Sequence, residues 1–302
     1  MRLKCVSKSW KTLNSNSFFI NLHLQRSIRK PQLALVYYTD KPYTESVLPT
    51  SLSCLLESSS ITLTEDPYYQ LKDKNCHVVV GSCNGLLCLL GHSCKLKQRW
   101  WWPYMKKIQR FTENYNLLNH SHLNNEVHLS GSINWLTLHN YQRYCYNCKY
   151  ISVEQFIIIS LDLHTETYKE LRPPQGFDEV PLIKPTLGVL MDFLCFFNVV
   201  KKTHFVIWKM TEYGVEESWT QLVKINLQII GHKLEKRFTS WWVPLHVDKN
   251  CDTMILANCF EDILVVYNLR DDSVESVRIT NGKYRLHGQH IKNYVESLVL
   301  GH

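Results

Sequence analysis

No apolar run in this sequence is long enough to span a bilayer. The longest, Val189 to Val200, is interrupted by Asp192 and Asn198 and falls well short of the ~20 apolar residues a membrane helix needs. An apolar secretory leader is also missing, because Met1 to Trp10 (MRLKCVSKSW) alternates basic and apolar residues. A secreted disulfide scaffold is not indicated either. The eleven cysteines are diluted along 302 residues and odd in number, so they read as reduced, mostly buried thiols of an intracellular protein, in the cytoplasm or the nucleus.

Catalytic and metal signatures are equally scarce. Gly81 to Gly85 (GSCNG) lacks the Gly-x-Ser-x-Gly spacing, and neither a glycine-rich phosphate loop nor a His-Glu-x-x-His occurs. Cys145 and Cys148 form the one Cys-x-x-Cys pair, with His139 and His164 near in sequence. A structural zinc site needs four ligands at disciplined spacing, so a loop-borne thiol pair is expected, and no cofactor or metal. Cys83 beside His77 or His92 reads as a buried structural cysteine among many chance neighbours. Asp162, Asp192, Asp271 and Asp272 resemble a glycosidase carboxylate set in type alone. Asp271 and Asp272 fall in an expected turn, the other two inside expected strands.

What is present is a hydrophobic content of 45% with 20% charge, the balance of a globular chain able to bury a substantial core. The formal charge of +7 permits attraction to acidic partners without demanding nucleic acid. Leu3, Val6, Trp10 and Leu13 fall on one face of a short amphipathic helix, and Asn14 to Ser17 supplies breaker and N-cap residues for a second helix carrying Phe18, Phe19, Leu22 and His23.

From Leu33 onward the pattern changes to short apolar or alternating runs between polar turns, which predicts an all-β architecture. Expected strands are Leu33–Tyr37, Val78–Val80, Gly85–Leu90, Val127–Leu138, Phe156–Leu163, Leu187–Phe197, Phe205–Met210, Trp219–Ile225, Met254–Ala257 and Ile263–Leu269. A loose repeat runs through them. Phe156–Leu171, Val206–Leu222 and Ile263–Ile279 each read as strand, polar turn and second strand, aligned on Leu161, Trp208 and Tyr267. Hydrophobic segments at Gly131–Leu136, Gly188–Phe193 and Val243–Leu256 precede them as expected inner strands. Four-stranded units covering one another's apolar faces suggest an irregular propeller-like array of antiparallel sheets, with a β-sandwich as competitor.

Arg2 to Leu24 (RLKCVSKSWKTLNSNSFFINLHL) resembles the latter half of a plant F-box. VVGSCNGLLCL (Val79–Leu89), EVHLSGSINWL (Glu126–Leu136) and the block Ile157–Thr220, with SLDLHTETY and FVIWKMTEYGVEESWT, resemble the F-box-associated interaction domain, of kelch or propeller-like type. The resemblance implies a partial, N-terminally truncated F-box at 1–30 and a β interaction domain at 31–302, with an atypical segment at 91–123. It implies a non-catalytic substrate-recognition subunit of a Skp-cullin-F-box ubiquitin ligase, or a stand-alone protein-binding β domain unable to dock the adaptor. Its partners would be a Skp-type adaptor and an unknown target protein, with no nucleic acid and no membrane. Adaptor contact would fall to Leu3, Cys5, Val6, Trp10 and Leu13.

Target contact is expected from large rigid aromatics on loops, Tyr213, Trp241 and Trp242, whereas Trp219 reads as a core residue of the repeat. The basic aromatic stretch Arg99, Trp100, Trp101, Trp102, Lys106, Lys107 and Arg110 reads as a loop rather than a base-stacking platform.

Overall fold

The computed structural model describes residues 16, 18–19, 22, 32–40, 43–52, 60–61, 69–70, 76–83, 86–91, 127–139, 151–231, 242–248, 250–258, 263–279, 284–286 and 292–294. The helix expected over Leu3 to Leu13, most of 91–123, the Cys145–Cys148 pair and Trp241 lie outside them. Phe18, Phe19 and Leu22 are helical. Asn16 Oδ1 accepts the backbone N–H of Phe18 at 2.9 Å and of Phe19 at 3.2 Å, satisfying two N–H groups that a helix start leaves open.

The chain is mainly β, as its alternating pattern implied, and divides into two compact units. The first comprises Met1–Ser93, Trp242–His246 and Asn250–His302; the second comprises Cys94–Trp241 and Val247–Lys249. The first unit opens with β1 (Gln32–Asp40), β2 (Tyr43–Ser51), β3 (Ser60–Ile61), β4 (Tyr69–Gln70), β5 (Cys76–Cys83) and β6 (Leu86–Gly91). β1 and β2 form a nine-residue antiparallel pair from Gln32↔Ser51 to Asp40↔Tyr43.

Among the described residues the second unit has eight successive strands: β7 (Val127–Leu129), β8 (Ser132–Leu138), β9 (Phe156–Asp162), β10 (Tyr168–Leu171), β11 (Thr186–Leu190), β12 (Phe193–Val200), β13 (His204–Met210) and β14 (Trp219–Asn226), followed by a short helix α1 (Leu227–Gly231). They form two four-stranded antiparallel meanders, ordered β10-β9-β8-β7 and β11-β12-β13-β14. The β-branched run Ile157–Ile158–Ile159 favours the extended chain, and alternation sends its side chains to opposite faces. Phe156 and Ile158 join a core with Leu187, Leu194, Phe196 and Met210 of the neighbouring sheet, whereas Ile157 and Ile159 pack with Trp135 on the other face. Both faces of β9 are therefore covered.

The rest of the first unit is β15 (Trp242–Val247), β16 (Thr253–Asn258), β17 (Ile263–Asn268), β18 (Val274–Ile279), β19 (Tyr284–Leu286) and β20 (Lys292–Tyr294). β15 to β18 form a third meander, to which β3 adds in parallel at Arg278↔Ser60. β1 pairs along its length with β2 and, at its other edge, with β19 and β20. Leu33, Leu35, Leu245, Ile255, Leu264 and Val277 share one core.

Two runs expected as single strands are hairpins. Val127–Leu138 reverses at Ser130–Gly131 (φ 51° and 74°), and Leu187–Phe197 at Met191–Asp192 (φ 50° and 61°). The expected inner strand Val243–Leu256 is likewise two strands, β15 and β16. Apolar residues run up to the Met191–Asp192 reversal, and apolar/polar alternation runs across Ser130–Gly131, so periodicity alone passes over a two-residue turn in both.

The expected repeat is present as three outer hairpins, β9–β10, β13–β14 and β17–β18. The first and third share their closing hydrogen bonds. Asp162 N–H donates to Thr167 O and Asn268 N–H to Ser273 O, both at 2.9 Å. Leu163 and Leu269 donate back to Gly131 O and Asp252 O, and Glu166 and Asp272 occupy the left-handed position at φ 57° and 58°. Asp162 and Asn268 each accept a backbone N–H two residues on, as Asx turns do. The longer loop of the second hairpin, Thr211–Ser218, closes instead with Thr211 N–H on Ser218 O at 3.1 Å.

Cys195, fully buried on β12, has its thiol pKa pushed up to about 12, chiefly by desolvation, so it stays protonated and unreactive. Brief alkylation of the folded protein should leave Cys195 unmodified in peptide maps, with full modification only in denaturant. Rapid native labelling would show that the strand opens.

Candidate functional site

The sequence singled out Tyr213 as a loop aromatic. The structure makes it half-buried and ties its ring to the core between the two sheets of the second unit. Its hydroxyl donates to Asn134 Oδ1 at 3.0 Å and shares a 2.7 Å hydrogen bond with Ser160 Oγ. Asn134 is fully buried and donates its amide to Val127 O at 3.2 Å. Lys169 Nζ lies 5.8 Å from the Tyr213 ring centre, at the reach of a cation–π contact. Gly214 follows at φ 83°, where an added Cβ would meet Lys169 Nζ at 2.1 Å. The loop is thus pinned to the neighbouring sheet.

Trp219 serves the same joint. Its indole N–H donates to Arg172 O at 3.0 Å, while Arg172 N–H donates to Glu216 Oε1 at 2.8 Å. Its ring continues an edge-to-face chain Phe156–Phe177–Phe196–Trp219, with centroids 5.0, 5.0 and 6.5 Å apart. Trp242 is 3% exposed on β15, so it presents no ring to solvent.

The carboxylates weighed as a catalytic set are turn formers. Asp162 Oδ1 accepts the N–H groups of His164 and Thr165, and these hydrogen bonds lower its pKa. Asp271 is lowered by its bonds to Ser273, and Asp272 accepts the Tyr267 hydroxyl. Asp192, expected inside a strand, is in the β11–β12 turn. Among the described residues no three metal-ligating side chains converge.

Sequence reasoning did not find a cleft of about 140 Å³ between the loop entering β11 and the β12–β13 turn, both in the second unit. Val180, Pro181, Leu182 and Ile183 line one wall and Val199 the other. Leu182 is 40% exposed, whereas Ile183 and Val199 are buried. Lys201 and Lys202 stand at the rim with Glu179. The turn closes through Thr203 N–H to Val200 O at 3.0 Å, with Lys201 and Lys202 both left-handed at φ 49° and 60°. Glu179 Oε1 accepts the Lys201 N–H at 2.5 Å and holds the turn against the facing loop. Lys184, next after Ile183, is half-buried, and desolvation lowers its pKa. The rim therefore offers two exposed ammonium groups against one engaged carboxylate. In sequence the only trace is a Lys-Lys pair between two apolar runs.

The chain has distant sequence similarity to plant proteins of the F-box type. No family model matches it. One relative, named as an F-box protein of Arabidopsis thaliana, is 25% identical over 120 residues, which make up 39% of this chain and 27% of the relative. A second F-box-named protein of the same plant is 26% identical over 110 residues, 36% of this chain and 21% of the relative. The match thus spans about a quarter of the length of these curated relatives.

Proposed function

We propose that this chain is a substrate-recognition subunit of the F-box type, which binds a target protein through its β units and brings it to a Skp-cullin ubiquitin ligase. The similarity to two F-box-named relatives carries this reading. A mainly β scaffold with loops tied down by side-chain hydrogen bonds suits it, because binding surfaces are commonly loops positioned by a rigid scaffold. On this reading Leu3, Cys5, Val6, Trp10 and Leu13 face the adaptor, and ubiquitin transfer is carried out by the partner proteins.

Co-purification with a plant Skp-type adaptor tests it. The unaltered chain should retain the adaptor, and the combined Leu3→Ala, Val6→Ala and Trp10→Ala variant should lose it while keeping its β circular-dichroism signature. A folded, unaltered chain that retains no adaptor would overturn ligase recruitment and leave a stand-alone binding protein.

A further inference from the structure

The turn Lys201–Lys202 combines unfavourable backbone geometry with an exposed basic rim. Two consecutive residues at positive φ form the type I′ pattern, for which Asn-Gly and Asp-Gly are preferred. The other two such turns among the described residues of this unit include Gly131 or Asp192, residues that tolerate the left-handed region. Here both positions are lysine, an arrangement that persists only where the surroundings hold it; the 2.5 Å bond from Lys201 N–H to Glu179 does so. The consequence is that two ammonium groups flank an apolar cleft. Its volume of about 140 Å³ is close to the ~150 Å³ cavity that accepts one benzene, so it has room for one leucine or phenylalanine side chain.

Resting on the reading of the chain as a target-binding subunit, we propose that this cleft takes an extended acidic segment of the target protein. One leucine- or phenylalanine-sized side chain enters between Leu182 and Val199, and carboxylates on the flanking residues meet Lys201 and Lys202. An apolar anchor in a small pocket supplies affinity, and the paired charges steer approach and select against basic segments. The chain's formal charge of +7 favours the same class of ligand at long range.

The test uses the full chain and a short fluorescent peptide with a central leucine between runs of Asp and Glu, read by anisotropy. Binding is expected, weakening as salt is raised. A central alanine should weaken it about tenfold or more, the loss expected when a buried leucine side chain is removed. The decisive variant is Lys201→Asn with Lys202→Gly, which removes both charges while giving the turn its preferred residues. It should keep or raise the melting temperature and lose the peptide.

Undiminished binding by that variant overturns the assignment. So does equal affinity for the alanine peptide, or displacement by single-stranded DNA as effective as by unlabelled peptide, which would mark the cleft as a general polyanion site. Absent peptide binding with adaptor retention intact overturns the cleft and leaves the ligase reading standing. Peptide binding without adaptor retention does the reverse.

Discussion

Replacing Phe196 with alanine is expected to destabilise the second unit by about 3–5 kcal/mol, the usual range for deleting a buried phenyl ring. Phe196 is fully buried on β12, in register with Leu187 on one side and Trp208 on the other. Its ring is the middle of the edge-to-face chain, 5.0 Å from Phe177 and 6.5 Å from Trp219. Relaxation around a cavity there is restricted, because the Phe177 backbone N–H donates to Pro174 O and the Trp219 indole N–H donates to Arg172 O. Against a typical domain stability of ~5–15 kcal/mol, such a loss should move the urea midpoint far down. Tryptophan fluorescence from Trp135, Trp208 and Trp219 reports it. A loss under about 1 kcal/mol would show that this core tolerates repacking, contrary to the geometry.

Asn134→Asp is the second large effect, and its size depends on pH. The substitution removes the amide that donates to Val127 O and places a carboxyl at a fully buried position beside the Tyr213 hydroxyl. Burial raises a carboxyl pKa by up to three to five units. A rise of about three units costs roughly 4 kcal/mol at neutral pH. Between the unfolded pKa near 3.9 and the raised folded value, the folded state binds more protons than the unfolded state. Stability relative to the unaltered protein therefore falls as pH rises, by up to ~1.4 kcal/mol per pH unit. Below the unfolded pKa the charge penalty vanishes, and only the lost amide hydrogen bond remains. Paired urea titrations at pH 4 and pH 7 check this. A difference independent of pH would mean that the side chain had escaped to solvent.

Much of the architecture was legible because local chemistry and global packing agree in the outer hairpins. The polar, Asx-forming segments after Leu161 and Tyr267 announce their turns in the sequence, and the structure closes both with the same hydrogen bonds. The reversal at Met191–Asp192 was not legible, because the largely buried strands on either side lack the polar alternation that would bracket a turn; at Ser130–Gly131 the turn residues stand in the sequence, but the alternation of Val127–Leu138 carries across them. β2 was passed over for a related reason: Tyr43–Ser51 (YTESVLPTS) is polar at many positions and is identified as a strand by its pairing with β1. The candidate site was less legible still. Tyr213 read as a loop aromatic for target contact because sequence shows a tyrosine in a loop and cannot show Asn134, 79 residues earlier, accepting its hydroxyl. The Lys201–Lys202 cleft depends on a loop contributed from the preceding inter-sheet connection, and no spacing rule encodes that meeting.

The pairing of β1 with β19 and β20 affects the order in which the protein is made. The second unit closes each sheet from strands that leave the ribosome one after another, so its hairpins can form as they emerge. Tyr37, by contrast, has its cross-strand neighbour at Leu286 and Gln32 at Tyr294, and β3 waits for β18. The edge of β1 therefore stays unpaired until Tyr284 to Tyr294 have emerged, a state in which exposed strands invite intermolecular pairing. Nascent chains stalled before Tyr284 should aggregate through this strand, and chaperone occupancy should fall once β19 and β20 are released.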